Sequence, residues 1–352
     1  MDTIYEGKEV RIGYSPQAQN TFGTRRIDAN LFTEVNAEIV EMTRDIKTHE
    51  LTTSSGTKQP VYADRTSNTS GSIPSFVVTG PFSYYEGDHS LNAFFQAVKE
   101  RDAAPFRKEF TPFSTSPDFT AAAEGHYLTW IKRFPKASAS WAAEGCIAAS
   151  LKLECERDGF LISETGWRAH GALELDANPS GTWERGLTAV GGTDGQPTSY
   201  GMLFFNDLDT ITVTINTATP VVPTLKKFSI TAAREVQGVG PNGSGSFNNW
   251  GMSQISGTME LTMLKDDLTE SLLHSHETDD YIQFNANWGA AVATALGELE
   301  IIATGKITDI TIGEDGLLET VVTADLLAAD SSSDMLNVKV ANNIDRAWTG
   351  TA

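Results

Sequence analysis

Apolar and polar residues alternate along most of the chain, and this period of two predicts strands with one buried face. In DTITVTIN, for example, Ile211, Val213 and Ile215 are separated by threonines, which fit half-buried strands well. The same alternation predicts strands in KEVRIGY, AASLKLECE, KKFSITAA, GTMELTM, YIQFNAN, KITDITI and the apolar-rich LLETVVTADLL. The joins RDG at 157–159 and EDG at 314–316 are expected hairpin turns, because glycine tolerates a positive φ.

Two segments have apolar residues at helical spacing instead. In DHSLNAFFQAVKE these residues are Leu91, Phe94, Phe95 and Val98. In KDDLTESLLHSHE they are Leu268, Leu272 and Leu273, with Asp266 or Asp267 as the expected N-cap. Each predicted helix follows directly on a predicted strand, so the sequence indicates a mainly β protein with two short helices.

The two strand–helix segments are the clearest part of an internal repeat. Leu91 and Phe95 correspond to Leu268 and Leu272 at an offset of 177 residues in a chain of 352. Each half also contains one long stretch rich in Ser, Thr and Gly, and such long loops are usually functional or disordered. We therefore predict a first lobe at 1–176 with loop 48–72, a linker at 177–200, and a second lobe at 201–352 with loop 237–254.

Acidic residues outnumber basic ones by 46 to 26, which gives a net charge of −20. A surface that grips DNA or an anionic membrane needs clustered Lys and Arg, so we expect neither specific nucleic-acid binding nor membrane binding. The excess is uneven, with −6 on residues 1–176 and −14 on residues 177–352. Solubility accounts for such a charge, and so does a surface that must not hold DNA.

The sequence contains no motif that nominates a catalytic or cofactor site, so we expect a non-enzymatic protein without a cofactor. GVGPNGSGS at 238–246 lacks the lysine and the following helix of a phosphate-binding loop. His274 and His276 are two residues apart and would point to different sides of a helix. That makes a poor metal pair, unless the helix end frays into a loop and forms a weak site.

Two further groups of reactive side chains have ordinary structural interpretations. Alternation places Glu154 and Glu156 on the solvent face of a strand rather than in a catalytic pair. The two cysteines, Cys146 and Cys155, are expected to be buried free thiols.

Several segments together resemble one known family, the major tail tube protein of long-tailed bacteriophages (siphophages) in its two-lobed form. They are KEVRIGYSPQAQNTFGT, GSIPSFVVTGPFSYYEGDHSLNAFFQAV, GCIAASLKLECERDGFLISETGWRAHG, LKKFSITAAREVQGVG, ISGTMELTMLKDDLTESLL and DSSSDMLNVKVANN. The resemblance implies a tail-tube fold in which each lobe has two β-sheets packed face to face and a short flanking helix. It also implies that one sheet of every lobe joins its neighbours into a β-barrel around a central lumen.

The same resemblance implies a structural virion protein of the tail, assembled in the cytoplasm of the bacterial host. Its rings stack into a hollow tube, and viral DNA passes non-specifically through the lumen. The partners implied are other copies of the chain, a tape-measure protein, a tail terminator and a distal tail protein. Because one-lobe relatives form rings of six, two lobes in one chain predict a trimer with pseudo-sixfold symmetry.

Two sets of residues follow as candidates for function. A wall that repels DNA needs carboxylates, and the candidates in or beside predicted strands are Glu260, Glu298, Glu300, Asp309 and Glu319. Contacts between rings are expected from the two long loops, with the candidates Thr53, Lys58, Tyr62, Arg65, Asn242, Phe247 and Trp250.

Two other interpretations remain open. The chain could be another tail component, such as a terminator or a baseplate piece. It could also be a carbohydrate-binding β-protein, in which exposed tryptophans stack on sugars; the candidates are Trp130, Trp141, Trp167 and Trp183.

Overall fold

The computed structural model describes these parts of the chain: 11–14, 31–34, 38–44, 48–52, 58–62, 74–82, 87–95, 98–100, 106–112, 127–133, 140–175, 182–185, 202–216, 218–239, 249–278, 280–289, 298–313, 318–329 and 334–342. Strands make up most of these residues, so the predicted mainly β class is confirmed. The proposed lobe boundaries stay a prediction.

The first half of the chain contains the strands β1 (Arg11–Tyr14), β2 (Leu31–Glu34), β3 (Glu38–Arg44), β4 (Thr48–Thr52), β5 (Lys58–Tyr62), β6 (Pro74–Pro81), β7 (Val98–Glu100), β8 (Phe106–Phe110), β9 (Leu128–Arg133), β10 (Ser140–Glu156), β11 (Leu161–Arg168) and β12 (Gly171–Leu175). Helix α1 (Gly87–Phe95) lies between β6 and β7.

The second half contains β13 (Thr182–Arg185), β14 (Leu208–Ile215), β15 (Leu225–Ala233), β16 (Val236–Val239), β17 (Asn249–Met252), β18 (Ser256–Leu264), β19 (Tyr281–Trp288), β20 (Glu298–Ile312), β21 (Glu319–Leu326) and β22 (Leu336–Asn342). Helix α2 (Asp267–Thr278) lies between β18 and β19. All segments predicted from alternation therefore contain a strand.

Eight strands form one sheet that runs through both halves of the chain, in the order β3-β6-β11-β10-β15-β18-β21-β20. All of these pairings are antiparallel, and the two halves meet where β10 pairs with β15. No described pairing joins β3 to the C-terminal part of β20, so the sheet is open as far as the structure describes the chain.

Two six-stranded sheets pack against it. The first has the order β13-β2-β1-β9-β10-β12, and the second has the order β14-β19-β20-β22-β8-β7. The long strands β10 and β20 take part in two sheets each, with their N-terminal halves in a six-stranded sheet and their C-terminal halves in the eight-stranded sheet.

Aromatic side chains fill the space between the sheets. Trp130 on β9 meets Trp167 on β11 with ring centroids 5.1 Å apart, and Phe228 on β15 meets Phe284 on β19 at the same distance. These residues belong to one continuous buried core that reaches from the first half to the second. Alternate residues of each strand point into this core, and this is why the apolar residues recur with a period of two.

The two helices confirm one prediction and correct another. Asp266 is the N-cap of α2, since its carboxylate accepts from the Thr269 backbone N–H at 3.1 Å while the Thr269 hydroxyl accepts from the Asp266 N–H at 3.2 Å. Helix α1 ends at Phe95, however, and Val98 lies in β7, opposite Phe110 of β8, rather than on the helix. Strand pairing overrides the helical spacing at that position.

The turns differ from the sequence expectation in two respects. At the RDG turn, Asp158 rather than Gly159 takes the left-handed conformation, with φ of 65°, and its carboxylate accepts from Asn206 at 2.9 Å. The stretches 48–72 and 237–254 are not structureless where they are described. The first contains the hairpin β4–β5, and the second, with Val236 just before it, contains the hairpin β16–β17. The EDG turn lies outside the described residues.

Candidate functional site: the open edges of the eight-stranded sheet

The eight-stranded sheet consists of two equivalent four-stranded units, β3-β6-β11-β10 and β15-β18-β21-β20. In each unit a helix follows the second strand, and the hairpin that closes the unit includes the long bent strand. Even the irregularities correspond: the β10–β11 register shifts between Ala148 and Ser150, and the β20–β21 register shifts between Ile307 and Asp309. The offset between these bulges is 159 residues, which aligns β10 with β20.

Strand β15 covers the outer edge of β10, and the core-facing side chains of β10 are buried there. Leu151 and Leu153 of β10 pair with Ala232 and Ile230 of β15, and the two leucines are 2% and 0% exposed. The Arg234 backbone N–H continues the ladder by donating to the Ala149 carbonyl at 2.9 Å. This contact between the two units is therefore a full antiparallel strand pairing.

Charged side chains add a second layer to this covered edge. The Glu154 carboxylate lies 2.8 Å from the Lys152 ammonium and 3.2 Å from that of Lys227, which also lies 3.3 Å from Glu156. Partial burial alone would raise the pKa of Glu154, but the hydrogen bonds and charges of the two lysines lower it overall. Glu154 and Glu156 thus lie on the solvent face, as predicted, and act as ion-pair partners.

The equivalent outer edge of β20 has no such cover among the described residues. Strand β19 pairs with β20 only as far as Lys306, so Ile307–Ile312 have β21 on one side and no described strand on the other. Ile310 and Ile312, which correspond to Leu151 and Leu153, are half-buried and 36% exposed. Gly313 donates towards β21, so by alternation the N–H groups of Ile310 and Ile312 point to the open edge.

The opposite end of the sheet is open in the same way. Strand β3 corresponds to β15 in the order of the two units, and among the described residues it pairs with β6 alone. The sheet therefore ends in two complementary edges: one equivalent to β15, and one equivalent to the edge that β15 covers. Uncovered edges of this kind are templates for pairing with another chain.

Arg234 links the two units, and its role could not be inferred from the sequence. Its guanidinium donates to the Ala93 carbonyl in the last turn of α1 at 3.2 Å and to Ala148 at 3.4 Å, and it lies 5.5 Å from the centre of the Phe94 ring. Burial lowers the pKa of Arg234 to about 10. A buried arginine at a helix C-terminus is recognisable only once the neighbouring half of the chain is in place.

The five candidate lumen carboxylates are divided between two sheets. Glu260, Asp309 and Glu319 lie on the face of the eight-stranded sheet that points away from the core, and Glu319 pairs with Lys226. Glu298 and Glu300 lie in the part of β20 that belongs to the second six-stranded sheet. Glu300 lies 2.8 Å from Lys339 and accepts from Asn285 at 3.1 Å. The five thus lie in two different sheets, and which of them face a lumen stays a prediction.

The loop candidates separate into three groups. Lys58 and Tyr62 lie in β5, and Thr53, Arg65, Asn242 and Phe247 lie outside the described residues. Trp250 is 4% exposed, and its indole N–H donates to the Gly145 carbonyl of β10 at 2.9 Å. This side chain holds β16–β17 against β10 of the same chain, and its part in contacts between rings stays a prediction.

The two cysteines and the histidine pair are the remaining candidates from the sequence. Cys146 and Cys155 are free and buried, as predicted, and burial raises the pKa of Cys155 to about 12 and that of Cys146 further. His276 lies 3.3 Å from the Ile307 carbonyl through Nδ1. Within the described ranges, no three His, Cys, Asp or Glu side chains are grouped so that they could hold a metal ion.

The tryptophans do not form a sugar-stacking surface as far as their side chains are described. Trp130 and Trp167 are fully buried in the core, Trp141 is half-buried beside Phe76, and Trp183 lies in β13. A side chain that stacks on a sugar must be exposed, so Trp130 and Trp167 cannot take that role in the carbohydrate-binding interpretation. No helix in the described part of the chain has the length and hydropathy needed to cross a membrane.

Comparisons with known proteins add little to this geometry. The sequence matches no protein-family model and no curated protein. Among solved structures, a chain in the sixfold-symmetrised cryo-EM structure of the anti-feeding prophage (AFP) baseplate is similar, with 12% identity and a TM-score of 0.26. The similarity covers 32% of this chain and 85% of that one. An overlap of this size fixes neither fold nor function.

Proposed function

We propose that the chain is a bacteriophage tail-tube subunit, a non-enzymatic virion protein whose rings stack into a hollow tube for DNA. The observation that supports this most is the pair of complementary open edges on the eight-stranded sheet. Within the chain, β15 covers the outer edge of β10. The equivalent strand β3 of a second copy fits the outer edge of β20 in the same way, and each added copy leaves the same two edges open.

Such head-to-tail contacts form closed rings or open filaments, depending on the rotation between copies. Each chain supplies two equivalent units, so three chains supply the six lobes expected in a ring of the family that the sequence resembles. The continuous sheet would then contain three times eight strands. Barrels of 16 to 18 strands already enclose a water-filled channel, so one of about 24 strands leaves a wide lumen. Ring closure would also remove both exposed edges.

The outward face of the eight-stranded sheet is suited to lining that lumen. It is rich in threonine and serine, and its described charged groups are seven carboxylates and five basic groups, a net of −2. The carboxylates are Glu154, Glu156, Glu164, Glu260, Asp309, Glu319 and Asp325, and the basic residues are Lys152, Arg168, Lys226, Lys227 and Lys306. Interspersed charges of both signs give phosphates no basic track to bind, so DNA slides past.

Electron microscopy of the purified full-length chain tests the proposal, together with native mass spectrometry. We expect rings with the mass of three chains and a pseudo-sixfold outline, and tubes at higher concentration. Rings of six chains would contradict the trimer. Single rings that never stack would favour a terminator or a baseplate component. A chain that stays monomeric at high concentration would contradict the proposal as a whole.

A further inference from the structure

The two ends of the eight-stranded sheet differ from its face in their exposed side chains. We call one the turn end, where β10 and β20 finish and β11, β15 and β21 begin, and the other the bend end, where β10 and β20 pass into the six-stranded sheets. Seven large apolar side chains in the described part of the chain are exposed, and none of them lies on the sheet face that points away from the core. Four lie at the two ends: Phe204, Leu318, Met252 and Leu327.

An aromatic pair stands at the turn end of the first unit. Phe204 is 39% exposed, and the centre of its ring lies 4.0 Å from that of Phe160 at the β10–β11 turn. The backbone beneath the pair is fixed, because the Phe205 N–H donates to the Gly159 carbonyl at 2.9 Å and the Trp288 indole N–H donates to the Phe204 carbonyl at 2.7 Å. A rigid exposed aromatic group loses little entropy on contact, which is the property of an interface anchor.

The second unit has its own apolar point at the turn end. Leu318 directly precedes β21 and is 45% exposed, and its carbonyl accepts the Lys265 backbone N–H at 2.8 Å. Four strand intervals separate β11 from β21, which is roughly 19 Å at the usual spacing of strands. The turn end therefore presents one exposed apolar point on each unit.

The bend end also has one exposed apolar point beside each unit. Met252 is 43% exposed and belongs to the hairpin β16–β17, which Trp250 holds at the β10 bend through the Gly145 carbonyl. Leu327 is 48% exposed, and its N–H donates to the Thr304 carbonyl at the β20 bend at 2.9 Å. The two bends are again four strand intervals apart in the eight-stranded sheet.

We propose that the turn end of one copy stacks on the bend end of a copy in the next ring, through Phe204 and Leu318 on one side and Met252 and Leu327 on the other; this rests on the proposed tube. Strands of a closed barrel tilt by roughly 35–45° from its axis, so their ends face the rings above and below. The partner is a second copy of this chain. Because the two ends differ, the contact is head-to-tail and repeats along the tube, and its apolar points follow the pseudo-sixfold repeat of the units.

Two variants of the full-length chain that block opposite ends test this contact. Phe204→Asp places a charge at the turn end, and Leu327→Asp places one at the bend end. We expect each variant alone to form rings of three chains by native mass spectrometry, and at least tenfold fewer tubes than the wild type in electron micrographs. An equal mixture should form pairs of rings and nothing longer, because one intact turn end then meets one intact bend end.

Two further variants serve as controls. Val221→Asp introduces the same charge at a side chain that is 44% exposed but lies beside β14, where Val221 pairs with Val213, and it should leave tubes unchanged. Phe204→Leu keeps an apolar side chain at the turn end and should retain tubes. Circular dichroism confirms that all four variants are folded.

The outcomes separate this contact from the tube itself. Tubes from Phe204→Asp or Leu327→Asp in wild-type numbers would overturn the contact and leave the tube intact. Pairs of rings from one variant alone, or none from the mixture, would overturn the head-to-tail arrangement. Loss of rings together with tubes would place these side chains within the ring and overturn the proposal too. A wild-type chain whose rings never stack would contradict the tube, and the contact with it.

Discussion

The outer edges of β10 and β20 are the same structural element in two environments. On β10, strand β15 completes the ladder and Leu153 is fully buried; on β20, the equivalent Ile312 is 36% exposed. The ion pairs around Glu154 accompany only the covered edge, since Thr311 and Gly313 occupy the equivalent positions on β20. The pairing of β10 with β15 therefore shows, within one chain, the contact that the described edges of β20 and β3 do not make.

The largest effect is expected from removing the edge N–H of β20. Ile312→Pro should leave the monomer folded, because proline is tolerated on an edge strand, and should abolish rings and tubes by deleting a hydrogen bond to the next copy. Analytical ultracentrifugation and circular dichroism measure the two effects. Ile312→Thr is the control, since it keeps the N–H and loses only apolar contact. Normal rings from the proline variant would contradict pairing at this edge.

The hairpin β16–β17 allows the next test. Trp250→Ala should lower the free energy of unfolding of the monomer by about 3–5 kcal/mol, because it empties a buried site between the units. Met252→Ala, at an exposed position of the same hairpin, should change it by less than ~0.5 kcal/mol. Urea denaturation of both variants below the assembly concentration gives the comparison. Equal losses would argue against Trp250 as the side chain that holds the two units together.

The covered and open edges should also respond differently to lost side-chain volume. Leu153→Ala should cost the monomer about 2–5 kcal/mol because it leaves a cavity in the core. Ile312→Ala should cost less than ~1 kcal/mol in the monomer, since its side chain is already partly in water. In the assembled ring the second value should approach the first. Thermal unfolding of monomer and ring separates the cases, and an unchanged Ile312 value would argue against cover by a second copy.

The smallest effect is expected from the ion pairs on the covered edge. The pKa of Glu154 is lowered in the folded chain, so its contribution to stability is present above the unfolded value of about 4.3 and is lost as pH falls through the folded value. Glu154→Gln should therefore cost under about 1 kcal/mol at pH 7 and nothing at pH 2. Urea midpoints at the two pH values measure this, with Glu260→Gln as the control for a lost surface charge. A pH-independent loss would assign the effect to packing.

Local patterns in the sequence predicted the strands and helices well, because each depends on residues close together in the chain. Alternation identified β14, β15, β18 and β19, and the spacing of Leu268 and Leu272 identified α2. The hairpins β4–β5 and β16–β17 were missed, since Gly238 and Pro60 interrupt any alternation there. The sequence places Trp250 in a loop, because the residue that it packs against, Ile147, lies about a hundred positions away in the chain.

The sequence by itself determined which residues face the core, that the chain is mainly β, and that its halves repeat. Those properties follow from periods of two and 3.6 and from a recurring order of features. Only the tertiary structure decided which strands are neighbours. The pairing of β10 with β15, the burial of Arg234 against α1 and the open edge of β20 all join residues far apart in the chain. Such contacts depend on how the sheets close around one core, and a local pattern contains no record of that.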